Sequence, residues 1–516
     1  MGHKIFVSLF LLHKYDIRLF MKYIIKFFPE IIVKSKSVRQ EMSKVLQRNI
    51  RNVLNRVSVK VKIQDCWDKL VVRLDEECPC TKTPEEIAEF LCRIPGIHAI
   101  LESEEFEYES MHDIYEKVAA VYGSKIQDKT FCVRVKRKGN QDFKSIDVEK
   151  YVGGGLNQNF SSRGVKLKNP DMVINLEIDN NRMFLITSVY QGMGGYPLST
   201  QEEVLSLISG GFDSGVSSYM FIRRGCRVHY LFFNMGGNAH EIGVKQESYY
   251  IWDKYSSSHK VRFISVPFEK MVGEILTKTD HSVRGVILKR MMMRIASIIA
   301  KKLGAGALVT GESVGQVSSQ TLTNLSVIDR VTDTLILRPL AVTDKQDIID
   351  KAREIGTIHF AETMPEYCGV ISDRPTVKAD INFVESEESK IDMSLVEELA
   401  EASKWMDIRD IPEDTKEMIG GDVEITDYAA SNEVVVDIRA QDEIDAKPLI
   451  TDKPHLTIPF FKISSVFKDL DQTKTYLLYC EKGVMSKMQA MYLKDQGFQN
   501  VKVYRQREKQ QSCCAL

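Results

Sequence analysis

The 516-residue sequence has no excess of one charge, no long apolar run and no cysteine framework, and each absence excludes a class of protein. Its 70 Lys and Arg residues balance 71 Asp and Glu, so any contact with nucleic acid must come from a local patch. The apolar run near the N-terminus, Ile5 to Leu12, is too short to span a bilayer. The ten cysteines form no paired C-x-x-C pattern, so we expect a cytoplasmic protein with reduced thiols and no metal-binding cluster of side chains.

Two common nucleotide-binding motifs are also missing. No G-x-x-x-x-G-K-[ST] sequence occurs and no G-x-G-x-x-G follows a strand pattern, which excludes a Walker-type loop and a dinucleotide-binding fold. Instead, Ser209-Gly210-Gly211-Phe212-Asp213-Ser214 connects an apolar strand pattern to a helical one. Its glycines let the backbone approach a ligand, and the N–H groups at the helix start favour an anion. The stretch predicts a phosphate site; a tight turn without a ligand is the alternative.

The Ser-Gly-Gly-x-Asp-Ser pattern resembles the PP-loop of the ATP pyrophosphatase family, whose members release pyrophosphate from ATP while they adenylate a substrate. From about Leu198 to Phe383, strand and helix patterns alternate, which is typical of a doubly wound parallel sheet. Adenosine is then expected across the carboxyl ends of the strands, near Asn234 and Gly311. The Asp213 carboxylate, close to the phosphates, could hold the Mg²⁺ that accompanies ATP.

A basic strand pattern lies between residues 131 and 139. Arg134, Lys136 and Lys138 share one face of it, and Arg137 stands near its end. A one-sided basic strand suits contact with a phosphate backbone, although a solvated sheet face is an alternative. The stretches that follow it resemble the THUMP domain of tRNA-modifying enzymes, and this resemblance favours tRNA binding; they are Tyr151 to Leu156, Val165 to Asp171 and Ile174 to Ile178.

Near the C-terminus, an apolar strand pattern leads into Cys480, and a helical pattern follows. The N–H groups at the helix start, together with Lys482, favour a thiolate or the anionic outer sulfur of a persulfide. A buried, inert cysteine is one alternative. A tyrosine-phosphatase loop is another, but such a loop needs an Arg near its end to bind a phosphate dianion, and only Lys487 is present. These segments resemble a rhodanese domain.

These features resemble, as a set, the bacterial tRNA 4-thiouridine synthase family from Met21 to about Tyr504. The resemblance implies ATP-dependent adenylation of a tRNA uridine, at position 8, and displacement of AMP by persulfide sulfur to give 4-thiouridine. It also implies a cysteine desulfurase as the sulfur donor and sulfur transfer to the ThiS carrier protein in thiamine thiazole synthesis. Further segments carry it: Ala239 to Val244, Gly315 to Asn324, Asp344-Lys345 and Met364 to Val370.

The same resemblance assigns roles to individual residues. Cys480 carries the persulfide, and Cys368 is its disulfide partner. Asp213 and Lys345 support adenylation. The expected ATP-binding set joins the phosphate loop to other positions: Leu207, Ile208, Ser209, Gly210, Gly211, Ser214, Lys289, Gly311 and Gln320.

We therefore expect a multidomain α+β and α/β chain. Its expected parts are an upstream extension (1–20), a ferredoxin-like domain (21–80), a THUMP domain (81–190), a doubly wound PP-loop domain (198–383), a linker (384–421), a rhodanese domain (422–506) and a disordered tail (507–516). Within these, Gly192 to Pro197 should be flexible and Leu395 to Met406 an amphipathic helix. Two other functions stay open: a tRNA-binding protein that only senses ATP, and an amide-forming ligase that uses ammonia, although no glutaminase segment is evident.

Overall fold

The protein's computed structural model divides into two compact units. The first comprises the chain up to Thr200 with Arg223–Gly225, and the second comprises Gln201–Ile222 and the chain from Cys226 onward. The expected extension and tail lie outside the described residues, as do Cys368 and Lys482. The described residues are 21–75, 82–235, 237–363, 374–419, 423–439, 444, 447–449, 451, 453, 455–459, 462–463, 466–480 and 483–505.

The first unit is built on one continuous mixed sheet. Its strands hydrogen-bond in the order β2-β3-β1-β4-β8-β7-β5-β6. They are β1 (Met21–Phe27), β2 (Val61–Cys66), β3 (Lys69–Leu74), β4 (Ile97–Glu107), β5 (Thr130–Lys138), β6 (Gly164–Val165), β7 (Met172–Asp179) and β8 (Arg182–Gln191). The accompanying helices are Pro29–Ile32, Lys36–Asn55, Pro84–Cys92, Met111–Tyr122 and Ser145–Asn159.

The ferredoxin-like part extends beyond the boundary expected at residue 80. Its βαββαβ order is complete only with the helix Pro84–Cys92 and β4. The helix buries Ile87 and Leu91 in the same apolar core as Tyr23 of β1. A boundary at residue 80 would divide this core, so the expected boundary is corrected to a position after β4.

Antiparallel pairing of β4 with β8 joins the ferredoxin-like strands to the rest of the sheet. The pairing runs from Ala99 opposite Gln191 to Glu107 opposite Arg182. Strand patterns in a sequence specify faces but not partners. The sequence therefore predicts strands on both sides of this junction but not the junction itself.

The glycine-rich segment after β8 is fixed in place, so the expected flexible connection is wrong. The Gly194 N–H donates to the Ile97 carbonyl oxygen at 2.8 Å, and the Tyr196 N–H donates to that of Arg223 at 2.9 Å. A Cβ on Gly195, whose φ is +76°, would lie 1.8 Å from the Arg223 carbonyl oxygen. Glycine is needed here for close packing of two backbones.

The second unit begins with a doubly wound sheet, as predicted. Its strands follow the order β13-β12-β9-β10-β11-β14, and all but the edge strand β14 are parallel. They are β9 (Val204–Leu207), β10 (Val228–Asn234), β11 (Arg262–Pro267), β12 (Ala307–Val309), β13 (Leu335–Leu337) and β14 (Lys404–Asp407).

Helices cover both faces of this sheet and continue toward the C-terminus. In chain order they are Phe212–Arg223, Gly237–Ile251, Glu269–Lys278, Arg284–Leu303, Leu322–Asp329, Lys345–Ile355, Ile358–Thr363, Ile381–Glu388, Ser394–Glu401 and Ile411–Ile419. Shorter turns are Trp252–Ser256, Ser318–Gln320, Ile408–Asp410 and Phe467–Asp469. No helix described in either unit combines the length and apolar composition needed to cross a bilayer.

Part of the segment interpreted as a linker belongs to this layered structure. The helix predicted to end at Met406 ends at Glu401, and Trp405 in β14 pairs with Ile264 in β11. Leu395 and Leu399 of the helix Ser394–Glu401 are buried in the main core of the sheet. Residues 381–407 are therefore packed around the PP-loop sheet, and the linker prediction fails there because their apolar face has a partner.

The C-terminal part of the second unit has its own parallel sheet. The strand order is β15-β19-β18-β16-β17, with β18 at its centre. Helix Val484–Asp495 follows β18, as the helical pattern after Cys480 predicts. The strands are β15 (Ile425–Thr426), β16 (Glu433–Asp437), β17 (His455–Thr457), β18 (Thr475–Tyr479) and β19 (Val501–Tyr504).

Candidate functional site

The predicted phosphate loop lies where the PP-loop sheet changes direction. β9 has β10 on one side and β12 on the other, and all three are parallel. The chain moves outward from β9 through β10 to β11 and then returns with β12 on the opposite side. Such a reversal opens a crevice at the carboxyl ends of the strands. The loops that follow β9 and β12 border this crevice.

The phosphate loop is a tight turn into the helix Phe212–Arg223. Gly210 has a φ of +86°, a conformation that side chains with a Cβ rarely adopt. The Ser214 hydroxyl donates to the Gly211 carbonyl oxygen at 3.0 Å, and the Ser209 N–H donates to Ser214 Oγ at 3.3 Å. The turn is held by its own serines, and the helix start directs N–H groups that suit phosphate oxygens.

Two neighbouring elements contact this loop. A Cβ on Gly311, after β12, would lie 2.6 Å from the carbonyl carbon of Asp213 and 2.8 Å from the nitrogen of Ser214, so glycine is required. From the helix Gly237–Ile251, His240 Nε2 lies 3.2 Å from the Ser209 carbonyl oxygen. Burial lowers the pKa of His240. The resemblance names Gly311, and the structure places it against the phosphate loop.

Asp213 and Lys345 form an ion pair beside the loop. Lys345 Nζ lies 2.9 and 3.1 Å from the two carboxylate oxygens of Asp213, and Gln316 Nε2 donates to one of them at 3.0 Å. Lys345 opens the helix Lys345–Ile355, and its side chain is 42% exposed. An exposed cation at the mouth of a phosphate site can neutralise charge that develops on a phosphoryl group.

Lys289 and Gln320, also expected at the ATP site, surround the loop after β12. Lys289 Nζ lies 3.6 Å from Glu312 Oε1, and Gln320 Oε1 accepts a hydrogen bond from the Ser313 N–H at 3.3 Å. Arg338 Nε donates to Glu312 Oε2 at 2.9 Å. Burial opposes ionisation of Glu312, but Lys289 and Arg338 hold its pKa below the ordinary value. No local sequence pattern distinguishes Arg338 from other arginines, so the sequence alone does not indicate its place at this site.

Leu207 and Ile208 connect strand β9 to the phosphate loop. Leu207 is the last residue of β9, and the Ile208 N–H donates to the Leu231 carbonyl oxygen at 2.9 Å. The strand hydrogen bonds thus continue one residue past the strand. Contact of these two backbones with ATP stays a prediction, as do the ATP roles of the other residues in the set.

Glu247 is a buried acid beside the phosphate-loop helix. Neither of its oxygens has a hydrogen-bond partner within the described part of the chain. A Cβ on Gly215 would lie 2.3 Å from Glu247 Oε1, so the carboxyl group lies directly against that helix. Burial raises the pKa of Glu247 from 4.5 to about 8. The group is therefore protonated when the protein is folded at neutral pH.

The Glu247→Gln variant is expected to become more thermostable than the wild type at high pH. The unfolded chain releases this proton near pH 4.5, whereas the folded chain keeps it until about pH 8. Between these values ionisation favours the unfolded state, so the wild type loses stability as the pH rises. Thermal unfolding should show nearly equal Tm values at pH 5 and a higher Tm for the variant at pH 8. A constant difference across this range, or an equal response from the exposed Glu401→Gln control, would contradict the assignment.

Cys480 lies at the end of β18, at the start of the helix Val484–Asp495. Its Sγ accepts a hydrogen bond from the Ser486 N–H at 3.2 Å, and the thiol donates to Ser486 Oγ at 3.3 Å. The side chain is 9% exposed. Gly483, with a φ of +73°, turns the chain into the helix. An N–H directed at sulfur at a helix start stabilises an anionic sulfur.

Cys368, the expected disulfide partner, lies outside the described residues, but a preceding helix does not. Helix Ile358–Thr363 carries Phe360, which is 4% exposed. Phe360 belongs to the same apolar cluster as Cys480. The helix that precedes Cys368 in the chain therefore packs against the C-terminal sheet.

The basic strand is β5, and it alternates as predicted. Arg134, Lys136 and Lys138 are exposed, whereas Val133 and Val135 are buried. Arg134 Nη2 donates to the Leu167 carbonyl oxygen at 2.7 Å, and Arg137, also exposed, donates to Gln141 Oε1 at 2.6 Å. The strand therefore presents a positive face to solvent; its contact with RNA stays a prediction.

Four family models match consecutive regions of the chain. They are the ThiI ferredoxin-like domain (22–100), the THUMP domain (108–188), the thiamine biosynthesis protein family ThiI (199–393) and the rhodanese-like domain (395–506). Fold and site thus define a modular protein that combines a THUMP domain, a PP-loop nucleotide-binding sheet and a rhodanese cysteine loop.

Similar proteins define the family. A tRNA sulfurtransferase of Tolumonas auensis is 61% identical over 94% of this chain and 100% of its own length. One from Aeromonas hydrophila is 56% identical over the same shares. A 4-thiouridine synthetase crystallised with RNA and bound ATP matches 75% of this chain and 99% of its own, with a TM-score of 0.66 and 26% identity. The chain belongs to the tRNA sulfurtransferase family.

Proposed function

We propose that this protein adenylates a tRNA uridine with ATP and replaces the activated oxygen with persulfide sulfur to give 4-thiouridine, at position 8 of the tRNA. As a family member it is a sulfur-transferring enzyme that acts on tRNA. One observation carries the proposal: a single chain holds both a phosphate loop and a cysteine whose sulfur accepts a helix N–H. Such a combination serves a reaction that needs both an activated oxygen and a sulfur nucleophile.

The chemistry explains why both sites are needed. A carbonyl oxygen is a poor leaving group, and attack of the uracil O4 on the α-phosphorus of ATP converts it into part of AMP, with release of pyrophosphate. Sulfur then attacks C4, the C4–O bond breaks and AMP departs. Preorganised N–H groups and cations lower the barrier where negative charge develops.

In this proposal the residues of the crevice bind and polarise ATP. The N–H groups of the phosphate loop hold phosphate oxygens, and Lys345, oriented by Asp213, neutralises charge on the transferred phosphoryl group. Mg²⁺ at Asp213 fits poorly, because both carboxylate oxygens already accept hydrogen bonds from Lys345 and Gln316. Magnesium bound elsewhere on ATP is compatible with the site.

The proposed partners and compartment follow the family resemblance. A cysteine desulfurase would load Cys480, and the same persulfide would serve the ThiS carrier. A reducing cytoplasm is proposed because the ten cysteines of the sequence form no paired C-x-x-C framework.

Mass spectrometry of unmodified tRNA incubated with the protein, ATP, Mg²⁺ and a persulfide-loaded desulfurase tests this function. We expect 4-thiouridine, with one AMP and one pyrophosphate released for each sulfur transferred. A protein that only senses ATP would release no pyrophosphate, and an amide-forming ligase would add nitrogen in place of sulfur.

The basic face of β5 gives a separate prediction. Replacing Arg134, Lys136 and Lys138 together with glutamine should weaken tRNA binding, because each phosphate contact that is lost reduces the number of counterions released when tRNA binds. We expect the slope of log K against log salt to become shallower by about 2. Binding measured at several salt concentrations tests this, with kcat at saturating tRNA preserved.

A matched variant separates this local effect from net charge. Lys260, Lys301 and Lys302 are exposed lysines of the second unit, and their joint replacement with glutamine removes the same charge. This control should keep the wild-type salt slope. An unchanged slope in the β5 variant would mean that the strand is only a solvated sheet face.

A further inference from the structure

A buried lysine links two parts of the second unit. Lys245, on the helix Gly237–Ile251, is 1% exposed. Its Nζ lies 2.7 Å from Glu241 Oε1 on the same helix and 2.5 Å from Asp414 Oδ2 on the helix Ile411–Ile419. A buried ammonium group is costly unless carboxylates compensate it, so this arrangement fixes the two helices relative to each other.

Glu241, the first carboxylate partner of Lys245, is connected to the proposed ATP site. Asn234, the last residue of β10, donates from Nδ2 to Glu241 Oε2 at 2.8 Å. Burial opposes ionisation of Glu241, but Lys245 and Asn234 hold its pKa below the ordinary value. His240, which precedes Glu241 in the chain, lies against the carbonyl of Ser209 in the phosphate loop. Lys245 is thus anchored to the crevice edge where ATP is proposed to bind.

Asp414, the second carboxylate partner of Lys245, lies on a helix that is connected to Cys480. Helix Ile411–Ile419 packs along the helix Val484–Asp495, which begins at the cysteine loop. Glu413, adjacent to Asp414, lies 3.8 Å from Lys487 Nζ. Lys487 directly follows Ser486, whose N–H reaches Cys480 Sγ. Side-chain contacts and neighbouring residues of the chain therefore connect the phosphate loop through Lys245 to Cys480.

We propose that Lys245 is a positioning residue that, through Asp414, fixes the position of Cys480 relative to the proposed ATP site. The inference rests on the proposed function, since it assigns the lysine to the step at which sulfur meets the adenylated base. Each half-reaction uses one site only, so neither ATP activation nor loading of Cys480 needs this link. Sulfur transfer from Cys480 to the adenylated base does need this link, because a misplacement of the reacting groups by about 1 Å can slow a reaction roughly a hundredfold.

The test compares three rates in the full-length Lys245→Met and Asp414→Asn variants. These rates are tRNA-dependent pyrophosphate release, persulfide uptake by Cys480 from a loaded desulfurase, and single-turnover thiolation. We expect thiolation to fall about tenfold in both variants, while the two half-reactions stay within about twofold of wild type. The double variant should be no slower than the slower single variant, because both changes break one contact.

Free sulfide gives a readout that a general folding defect would not. Inorganic sulfide can attack the adenylated base without the cysteine loop, so both variants should thiolate tRNA from sulfide at the wild-type rate. Lys270→Met, which breaks an exposed ion pair with Glu398 in the same unit, is the control and should leave every rate unchanged.

The outcomes distinguish the inference from the proposed function. Normal desulfurase-driven thiolation in both variants would overturn the positioning role. A joint fall of all three rates, without rescue by sulfide, would also overturn it and make Lys245 a structural residue. Wild-type protein that releases no pyrophosphate with tRNA would overturn the proposed function and this inference with it.

Discussion

Replacement of Asp213 with alanine is expected to lower the rate of thiolation by about 10²–10³-fold and to leave tRNA binding nearly unchanged. The carboxylate holds Lys345 at 2.9 Å and accepts a hydrogen bond from Gln316, so its loss releases the cation proposed to act on the ATP phosphates. Loss of one well-placed charge-stabilising group lowers kcat by about 10²–10³-fold. The basic face of β5, which is proposed to bind tRNA, lies in the other unit.

The measurement pairs 4-thiouridine formation with tRNA affinity for each variant. Asp350→Ala is a matched control, because this exposed carboxylate lies on the same helix as Lys345 but pairs with Arg353. It should retain full activity. Because Asp213 and Lys345 act as a unit, the combination of Asp213→Ala with Lys345→Met should be no slower than the worse single variant. An equal loss of tRNA affinity in Asp213→Ala would contradict a role confined to ATP.

Local sequence patterns were enough to predict several parts of the structure. The helix after Cys480 follows from the apolar strand pattern and the helical pattern on either side of that cysteine, and the structure contains both β18 and the helix Val484–Asp495. The phosphate loop likewise follows from a short strand, two glycines and a helix start. Each feature is specified by neighbouring residues, so the sequence alone could indicate it.

Long-range contacts could not be predicted in this way. Asp213 and Lys345 are 132 positions apart, and only the family resemblance placed them together. The strands β13 and β14 span three and four residues, too few to show a period of two. Lys245 is nearly inaccessible although lysine is ordinarily a surface residue, and its carboxylate partner Asp414 lies 169 positions away.

The Cys480→Ala variant is expected to lose thiolation from a desulfurase completely, and Cys368→Ala is expected to lose turnover at a later step. Cys480 is proposed to carry the persulfide, so without it no sulfur reaches the base. Cys368→Ala should still take up persulfide sulfur at Cys480. Both variants should release pyrophosphate with tRNA, because the phosphate loop and the Asp213–Lys345 pair are untouched.

The wild-type enzyme without a reductant should make about one thiolated base per active site and then stop, because both routes of sulfur delivery end in the same disulfide. In one route, the Cys368 thiolate attacks the inner sulfur of the persulfide, the S–S bond breaks, and sulfide leaves to attack C4. In the other, the outer sulfur attacks C4 and expels AMP, and Cys368 then cleaves the remaining S–S bond. Each route leaves a Cys368–Cys480 bond and needs two electrons from a reductant to restart.

A non-reducing peptide map of the stopped enzyme decides whether this bond forms. The described structure supports its feasibility, since Phe360, eight positions before Cys368, packs in the apolar cluster that contains Cys480. Cys66→Ala is the control: its thiol is half-buried, burial raises its pKa, and its loss should not alter turnover. If the map shows both thiols free, or if Cys368→Ala turns over normally, Cys368 is a structural thiol and sulfur leaves Cys480 with the help of another reductant. If the map shows the bond and dithiothreitol restores turnover, the two cysteines form a redox pair that resets after every sulfur delivered.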